Sequence, residues 1–196
     1  HSTCVPTVIG DDAVSLVARW QKRTELPIVY SNPAENGRCA DAGLEIFRKM
    51  RKDPAFMKIA KRARSVNLVG FPEGPGLEDL VLRLQDCGIS VNARVMPSLD
   101  LDVARRYLAA SVQILYPNGA FEETYREFFE PLNIKSVKPE APYGLDGTKA
   151  WLEGVAGEFG RQRKARAVFK QAAKPFAAGW DAGRQEAAGH RLAFIV

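Results

Sequence analysis

The sequence has little cysteine, little histidine and no long apolar run. Its three cysteines, Cys4, Cys39 and Cys87, are scattered and none belongs to a CxxC pair, which argues against a disulfide framework and a self-contained zinc site. The two histidines, His1 and His190, stand at opposite ends of the chain, so we expect neither a serine–histidine–acid triad nor a histidine-based metal site. Without a signal peptide or an apolar run of about 18 residues, we expect a cytoplasmic protein and no membrane partner.

Composition and charge indicate an ordinary globular protein. Of 196 residues, 46% are hydrophobic and 26% are charged, which allows a sizeable core in about one domain. The net charge of +5 comes largely from two basic stretches, Arg48–Arg64 and Arg161–Lys174, that read as helices. A basic helix face can bind nucleic acid or an acidic protein. Because no aromatic residues interleave with these charges, we interpret both as solvated faces and expect no nucleic-acid partner.

Apolar runs and amphipathic helical patterns alternate through the middle of the chain. The pattern predicts strands at Val66–Gly70, Val91–Met96, Val112–Tyr116 and Ile134–Val137, and helices at Leu77–Cys87, Asp100–Ala110, Phe121–Glu130 and Asp146–Phe159. Gly88 is expected to end the first of these helices in the left-handed conformation. Such alternation predicts an α/β fold, a Rossmann-like parallel sheet with helices on both faces.

The flanks predict further elements. Asp11 or Asp12 can cap a helix. The pattern also predicts strands at Pro27–Tyr30 and Leu192–Val196, helices at Arg38–Lys52 and Ala55–Arg64, and a long polar helical stretch at Arg161–His190. Because the chain starts inside a motif and stops on an apolar run, we expect an internal segment of a multi-domain subunit. Residues 1–64 would end a preceding α/β domain, 65–160 would form the Rossmann-like middle domain, and 161–196 would connect to the first strand of a following domain.

A cysteine precedes a glycine turn and a helix start in the string STCVPTVIGDD, residues 2–12. Such a position, at the end of an apparent strand, is where parallel α/β sheets bind ligands. Helix N–H groups favour a thiolate there, and thiolates are the natural ligands of iron–sulfur clusters. A lone cysteine is also commonly a small buried hydrophobe. The residue pattern leaves both roles open for Cys4.

This string resembles the cysteine-bearing segment of nitrogenase component 1-type oxidoreductases. That family includes nitrogenase molybdenum–iron protein subunits, dark-operative protochlorophyllide and chlorophyllide reductase subunits, and cofactor-assembly scaffolds. The similarity continues in the strand at Leu26–Tyr30, in Leu80–Val91 with its L-x-x-C-G-I-S-V, in Ala109–Pro117 and in APYGLDGTKAWL at Ala141–Leu152. It therefore spans nearly the whole chain.

The resemblance implies a role in an oxidoreductase complex. Cys4 would ligate an iron–sulfur cluster shared with a homologous partner subunit of the component 1 heterotetramer. A separate ATP-dependent iron–sulfur protein would deliver electrons, which pass to a dinitrogen-type or tetrapyrrole substrate. The isolated chain is expected to hold no cofactor and to be inactive, since such clusters need about four ligands.

Two glycine-bearing turns are further candidates for a ligand-binding site. The run PYGLDGT, residues 142–148, predicts a helix start that could bind an anion and that Thr148 could cap, although it could also be an ordinary strand-to-helix loop. The family resemblance implies a position near the substrate or cofactor cavity. The run GFPEGPG, residues 70–76, lacks a nucleotide-binding motif, and its prolines remove N–H donors, so we reject nucleotide binding there. Cys39 and Cys87 are interpreted as structural.

Two other functions are compatible with the pattern. A cofactor-assembly scaffold of the same family would be built in the same way but would consume no substrate. A Rossmann-like small-molecule-binding domain would be metal-free and would leave the string around Cys4 unexplained.

Overall fold

The structure is a computed structural model that describes residues 12–24, 28, 52, 58–96, 101–188 and 190. In this part of the chain the α-helices are α1 (Ala13–Gln21), α2 (Pro75–Asp86), α3 (Leu101–Arg106), α4 (Glu122–Thr124), α5 (Gly144–Gly157) and α6 (Gln162–Ala187). The strands are β1 (Ser65–Val69), β2 (Ser90–Val95), β3 (Val112–Leu115) and β4 (Lys135–Val137). Two 3-10 segments, Tyr107–Ala109 and Gly119–Phe121, and a π-helical segment, Tyr125–Phe129, complete the regular structure.

The described strands form one parallel sheet in the order β2-β1-β3-β4. The register pairs Val66 with Val112 and Ile114 with Val137. Every residue of β1 and β3 is buried, as expected for central strands of a parallel sheet that is covered on both faces. The predicted fold class, an α/β Rossmann-like parallel sheet, is confirmed.

The chain divides into two compact units. The first contains residues 1–74 and 90–138 and therefore the whole sheet, and the second contains residues 75–89 and 139–196. Within the second unit α5 packs against α6, and α2 contacts both helices. Its buried side chains include Leu84, Trp151, Leu152 and Ala165. The domain boundaries proposed from the sequence refer to a longer polypeptide and stay a prediction.

The core of the first unit is rich in aromatic rings. Side chains from β1, β2 and β3 pack with those of α3 and of the π-helical segment, and the buried cluster includes Val69, Val95, Tyr107, Leu115, Tyr125, Phe128 and Phe129. The rings of Tyr107 and Tyr125 lie 5.8 and 6.4 Å from that of Phe129, centroid to centroid. Burying one such side chain stabilises a fold by about 1.5–3 kcal/mol, so this cluster dominates the stability of the unit.

A row of polar side chains crosses the sheet inside this unit. Asn67 lies opposite Gln113 in the register, and Gln113 lies opposite Ser136. A register shift between Val66 and Asn67 leaves Asn92 as an extra residue on β2, beside Asn67. The Asn92 Nδ2 atom donates to the Asn67 Oδ1 atom over 2.9 Å. Four neighbouring polar side chains, one from each strand, thus cross the sheet, and we call them the polar row: Asn92, Asn67, Gln113 and Ser136.

The polar row also hydrogen-bonds the ends of the nearby helical segments. Asn92 and Asn67 donate to the carbonyls of Arg106 and Tyr107 over 2.9 and 2.8 Å. The Tyr107 hydroxyl donates to Gln113 Oε1 over 2.6 Å, and Gln113 Nε2 donates to the Phe129 carbonyl over 2.8 Å and to Ser136 Oγ over 2.7 Å. These bonds give the Tyr107 and Phe129 carbonyls a second partner, since the Ala110 and Leu132 N–H groups also donate to them over 3.4 and 3.1 Å.

Several local predictions are confirmed. Asp12 caps α1, since its side chain accepts a hydrogen bond from the Ser15 N–H over 2.9 Å. Gly88 follows α2 with a φ of 76°, in the left-handed region. The four central strands form where the pattern placed them. The polar stretch after residue 160 forms one helix, α6, which contains Pro175.

Other local predictions are wrong. The single helix predicted at Phe121–Glu130 is a 3-10 turn, then α4, then the π-helical segment, in which Tyr125, Phe128 and Phe129 are buried. The helix predicted at Asp100–Ala110 ends at Arg106 and continues as a 3-10 turn. The helix predicted through Ala55–Arg64 is absent from the described residues 58–64, where the Arg62 N–H instead donates to the Ala109 carbonyl over 2.7 Å.

Some predicted elements cannot be compared. The strands at Pro27–Tyr30 and Leu192–Val196 and the helix at Arg38–Lys52 lie outside the described residues, apart from Ile28 and Lys52. Among the helices that are described, none is both long and apolar enough to cross a membrane.

Candidate functional site at the carboxyl edge of the sheet

The strand order places a topological switch point between β1 and β3. The chain leaves β1 toward β2 on one side, and it leaves β3 toward β4 on the other side. In open parallel sheets the crevice at such a point, beyond the carboxyl ends of the two strands, is the usual ligand site. Here the crevice is bordered by Gly70 and Phe71 after β1 and by Tyr116 and Pro117 after β3.

The side chain of Tyr125 fills this crevice. Its hydroxyl donates to the Tyr116 carbonyl over 2.8 Å and lies 3.5 Å from the Val69 carbonyl. Gly70 has a φ of 74°, and a Cβ atom at this position would overlap the Tyr125 hydroxyl. Glycine is therefore required at residue 70 both by the backbone conformation and by the close approach of the tyrosine.

The environment of Tyr125 keeps its hydroxyl neutral. Burial raises the pKa of Tyr125 well above its ordinary value, and the nearby Glu122 carboxylate raises it further. Burial also raises the pKa of Tyr107 well above its ordinary value. A neutral phenol of this kind donates a hydrogen bond and is a poor general base, since a catalytic base needs a pKa near the working pH. Tyr125 therefore supports the backbone at the switch point.

An ion-pair arrangement flanks the π-helical segment. Lys138, which follows β4, has its Nζ atom 2.8 Å from Glu122 Oε2 and 2.8 Å from Glu130 Oε1. The same Nζ atom lies 5.9 Å from the centroid of the Tyr125 ring. The hydrogen bonds to Glu122 and Glu130 raise the pKa of Lys138. The two carboxylates stand before and after the π-helical segment, so Lys138 joins its two ends.

The residue predicted to hold a metal cluster, Cys4, lies outside the described residues, as does Cys39. Cys87 is described, and it is a free, fully buried cysteine just after α2, in agreement with a structural role. Burial raises the pKa of the Cys87 thiol, which disfavours the thiolate form that metals bind. In the part of the chain that the structure describes, no group of three or more His, Cys, Asp or Glu side chains could hold a metal ion.

The predicted capping role of Thr148 is wrong. Helix α5 begins at Gly144, whose φ is 65°, and Tyr143 occupies the N-cap position without a side-chain hydrogen bond to the helix. The Thr148 hydroxyl donates to the Pro142 carbonyl over 3.0 Å. A Cβ atom at Gly147 would lie only 3.2 Å from the Ala141 carbonyl oxygen. The turn is therefore held by contacts within residues 141–148, and Thr148 accepts no helix N–H.

Sequence reasoning did not find Gly70, Tyr125 or Lys138. Gly70 stands in a glycine- and proline-rich loop and Tyr125 in a helical pattern, and neither context singles the residue out in the sequence. The aromatic residues of YREFF, residues 125–129, were the available signal, because the i, i+3, i+4 spacing of Tyr125, Phe128 and Phe129 places three large rings on one helix face, which indicates burial.

Taken together, a parallel α/β sheet with a switch point filled by its own tyrosine defines a Rossmann-like module that differs from the usual nucleotide-binding domain. The profile of the nitrogenase component 1 type oxidoreductase family matches residues 1–196, the whole chain. The chain belongs to this family, and it is thereby assigned to a group of oxidoreductases rather than to unrelated small-molecule-binding domains. No curated protein matches the sequence.

Proposed function

We propose that the chain is part of the catalytic-component subunit of a nitrogenase-like reductase. In this proposal a separate ATP-dependent iron–sulfur protein supplies electrons, which reach a bound dinitrogen-type or tetrapyrrole substrate. The observation that carries the proposal is the family match over residues 1–196. The filled switch point supports it, because Tyr125 occupies the place beside Gly70 where a Rossmann domain would hold a nucleotide of its own.

Cys4 is the proposed thiolate ligand of an iron–sulfur cluster shared with a homologous partner subunit. When bound, such a cluster supplies the electron-transfer chemistry, while the protein contributes position and insulation. The described residues contain no alternative set of metal ligands, which is compatible with ligands drawn from elsewhere in the two polypeptides. In this arrangement residues 1–64 end the domain that carries Cys4, residues 65–160 form the middle domain, and residues 161–196 lead to a following domain in a cytoplasmic complex.

The role of the described residues in this proposal is to hold loops at a fixed place. Functional groups are positioned best when they stand on rigid elements. The fully buried strands β1 and β3, the Tyr125 hydrogen bond to Tyr116 and the T-shaped contact between Phe71 and Tyr116, 5.1 Å between centroids, together give such an edge. The loops that leave this edge are thereby well suited to face a cofactor or a neighbouring domain.

The test is a Cys4→Ser substitution in the complex of the parent polypeptide with its homologous partner. We expect Cys4→Ser to lower the iron and acid-labile sulfide content and to change the electron paramagnetic resonance spectrum. Cys87→Ala is the matched control, and we expect it to leave both unchanged because its thiol is buried and belongs to no group of metal ligands among the described residues. Unchanged iron content and spectrum in Cys4→Ser would remove the proposed role of Cys4.

Turnover by the same complex separates a reductase from an assembly scaffold. With the ATP-dependent iron–sulfur protein, ATP and a reductant present, a reductase consumes its substrate, whereas a scaffold only holds a cofactor precursor for transfer. Full cluster content without any substrate reduction would favour the scaffold.

A further inference from the structure

A row of basic side chains runs along the solvent side of α6. Arg163, Arg166, Lys170 and Lys174 are all exposed, and we call them the basic stripe. They are three or four residues apart, which places them within an arc of about 80° on one helix face. Ala165, which lies away from this arc, is fully buried within the second unit. The stripe therefore occupies the face that the fold does not use for packing.

The charges of the stripe are placed where they destabilise α6 electrostatically. The first turn of α6 contains no acidic residue, and the N-cap residue Arg161 makes no side-chain hydrogen bond. Arg163 thus stands near the positive end of the helix macrodipole, where a cation is unfavourable. Within the stripe, like charges three and four residues apart repel one another. No aspartate or glutamate occurs between Gly160 and Trp180 to offset these charges along the helix.

Two other basic residues of the described chain each pair with two carboxylates. Arg83 pairs with Asp79 and Asp86 within α2, and Lys138 pairs with Glu122 and Glu130. In the stripe, only Arg166 forms an ion pair among the described residues, with Glu153 of α5 at 2.8 Å, and its side chain is still 60% exposed. Among the described residues, no carboxylate pairs with Arg163, Lys170 or Lys174, and a local arrangement of charge that lowers stability in this way is typical of a functional surface.

We propose that the basic stripe docks the acidic face of a helix in another protein. Glutamates three and four residues apart on a partner helix repeat with the same spacing as the stripe, so each cation can meet a carboxylate. A nucleic acid fits less well, because the stripe is a single row of cations without aromatic side chains between them. This docking role is independent of the proposed role of Cys4.

The binding test uses the full chain and two synthetic peptides. One alanine-rich helical peptide carries four glutamates at positions i, i+3, i+7 and i+11, and the other has the same composition with its glutamates distributed around the helix. Fluorescence anisotropy at low salt measures both affinities, with a short duplex DNA as the competing class of ligand. We expect the first peptide to bind more tightly than the second and more tightly than the DNA.

Charge-reversal variants then show whether the stripe is responsible. Lys170→Glu combined with Lys174→Glu should weaken binding of the first peptide by about tenfold, because two attractive surface pairs become repulsive. The matched control, Arg126→Glu with Lys149→Glu, makes the same charge change at exposed positions outside the stripe and should alter binding by no more than about twofold. Equal affinity for the two peptides, equal losses in the two double variants, or tighter stripe-dependent binding of DNA would each overturn the proposal.

The Tm of an Arg163 variant distinguishes a docking role of the stripe from a purely structural one, because the two roles predict Tm changes of opposite sign. Arg163→Glu places a carboxylate in the first turn of α6, where the helix macrodipole favours it, so Tm should rise by about 1–2 °C while peptide binding weakens. A fall in Tm for this variant would show that the stripe supports the fold, and the docking proposal would then be wrong.

Discussion

The polar row inside the first unit and the basic stripe on α6 both place polar groups where a simple hydrophobic pattern does not require them. Asn67 and Gln113 are fully buried, and their side chains hydrogen-bond to neighbouring groups of the same unit. Arg163, Lys170 and Lys174 are exposed and lie among like charges. Apart from the Asn92 Oδ1 atom, which is buried without a hydrogen-bond partner among the described residues, the side chains of the polar row are hydrogen-bonded within the unit and contribute to stability. Charges that the described residues leave uncompensated are available for an external partner.

Buried groups that the fold holds in place should therefore matter most for stability, and substitutions at the switch point filled by Tyr125 should have the largest effect on the free energy of unfolding. Gly70→Ala should lower the free energy of unfolding by about 3 kcal/mol or more, because it adds left-handed backbone strain and an overlap with the Tyr125 hydroxyl. Gly88→Ala is the matched control: its φ of 76° is nearly the same, but no atom lies within 4 Å of the added Cβ, so about 1 kcal/mol is expected. Urea denaturation measures both.

A double-substitution cycle sharpens this prediction. In a Tyr125→Phe background the overlapping hydroxyl is gone, so Gly70→Ala should cost less than it does in the unmodified chain. Equal costs in the two backgrounds would show that the tyrosine does not determine the choice of glycine at this position.

The polar row should show the next largest effect. Gln113→Leu should lower the free energy of unfolding by about 3 kcal/mol, because the Tyr107 hydroxyl, the Phe129 carbonyl and the Ser136 hydroxyl each lose a buried hydrogen bond. The same change at the exposed Gln171 of α6 should alter stability by less than about 0.5 kcal/mol. A loss below about 1 kcal/mol at Gln113 would contradict the idea that this row contributes to the fold.

The buried tyrosines should make the chain sensitive to alkaline pH. Because burial raises the pKa of Tyr125 in the folded state, the folded chain keeps a proton that the unfolded chain releases near pH 10. Stability from this group is therefore complete below about pH 10 and falls as pH rises further, by at most about 1.4 kcal/mol per pH unit. Tyr125→Phe should reduce the slope of stability against pH in this range, and an unchanged slope would show that Tyr125 does not contribute to it.

The ion pairs of Lys138 should have the smallest effect. All three side chains are more than a third exposed, so Lys138→Met should cost less than about 1 kcal/mol, and less still at high salt. The raised pKa of Lys138 means that this contribution is present below about pH 10.5 and is lost above it. Lys149→Met serves as the control at another exposed position, and a loss above about 2 kcal/mol at Lys138 would identify a larger structural role than the exposure predicts.

Much of the fold could be predicted from local patterns. The runs around Val66, Val91 and Val112 have the composition and length of buried strands, and the alternation with helical patterns predicts their parallel arrangement. Asp12 and Gly88 were recognisable because capping and left-handed termination depend on the nature of a single residue. The family resemblance carried by residues 2–12 and 141–152 agrees with the match over the whole chain.

The candidate site was much less predictable. The path of residues 119–129 depends on burying three aromatic rings against β1 and β3, and local helix propensity contains no information on those strands. The polar row requires a register shift that brings Asn92 beside Asn67, and register is a property of paired strands. The polar residues in β1 and β3 were visible in the sequence, but their partners were not.

The sequence by itself determined the α/β class, the order of the central strands and helices along the chain, and the helix boundaries at Asp12 and Gly88, because these depend on residue type and short-range spacing. Only the tertiary structure decided that Tyr125 closes the switch point above Gly70, that four polar side chains line up across the sheet, and that the face of α6 with the basic stripe is exposed while Ala165 is buried within the second unit. These features join residues far apart in sequence or depend on which helix face is buried, and packing alone selects them.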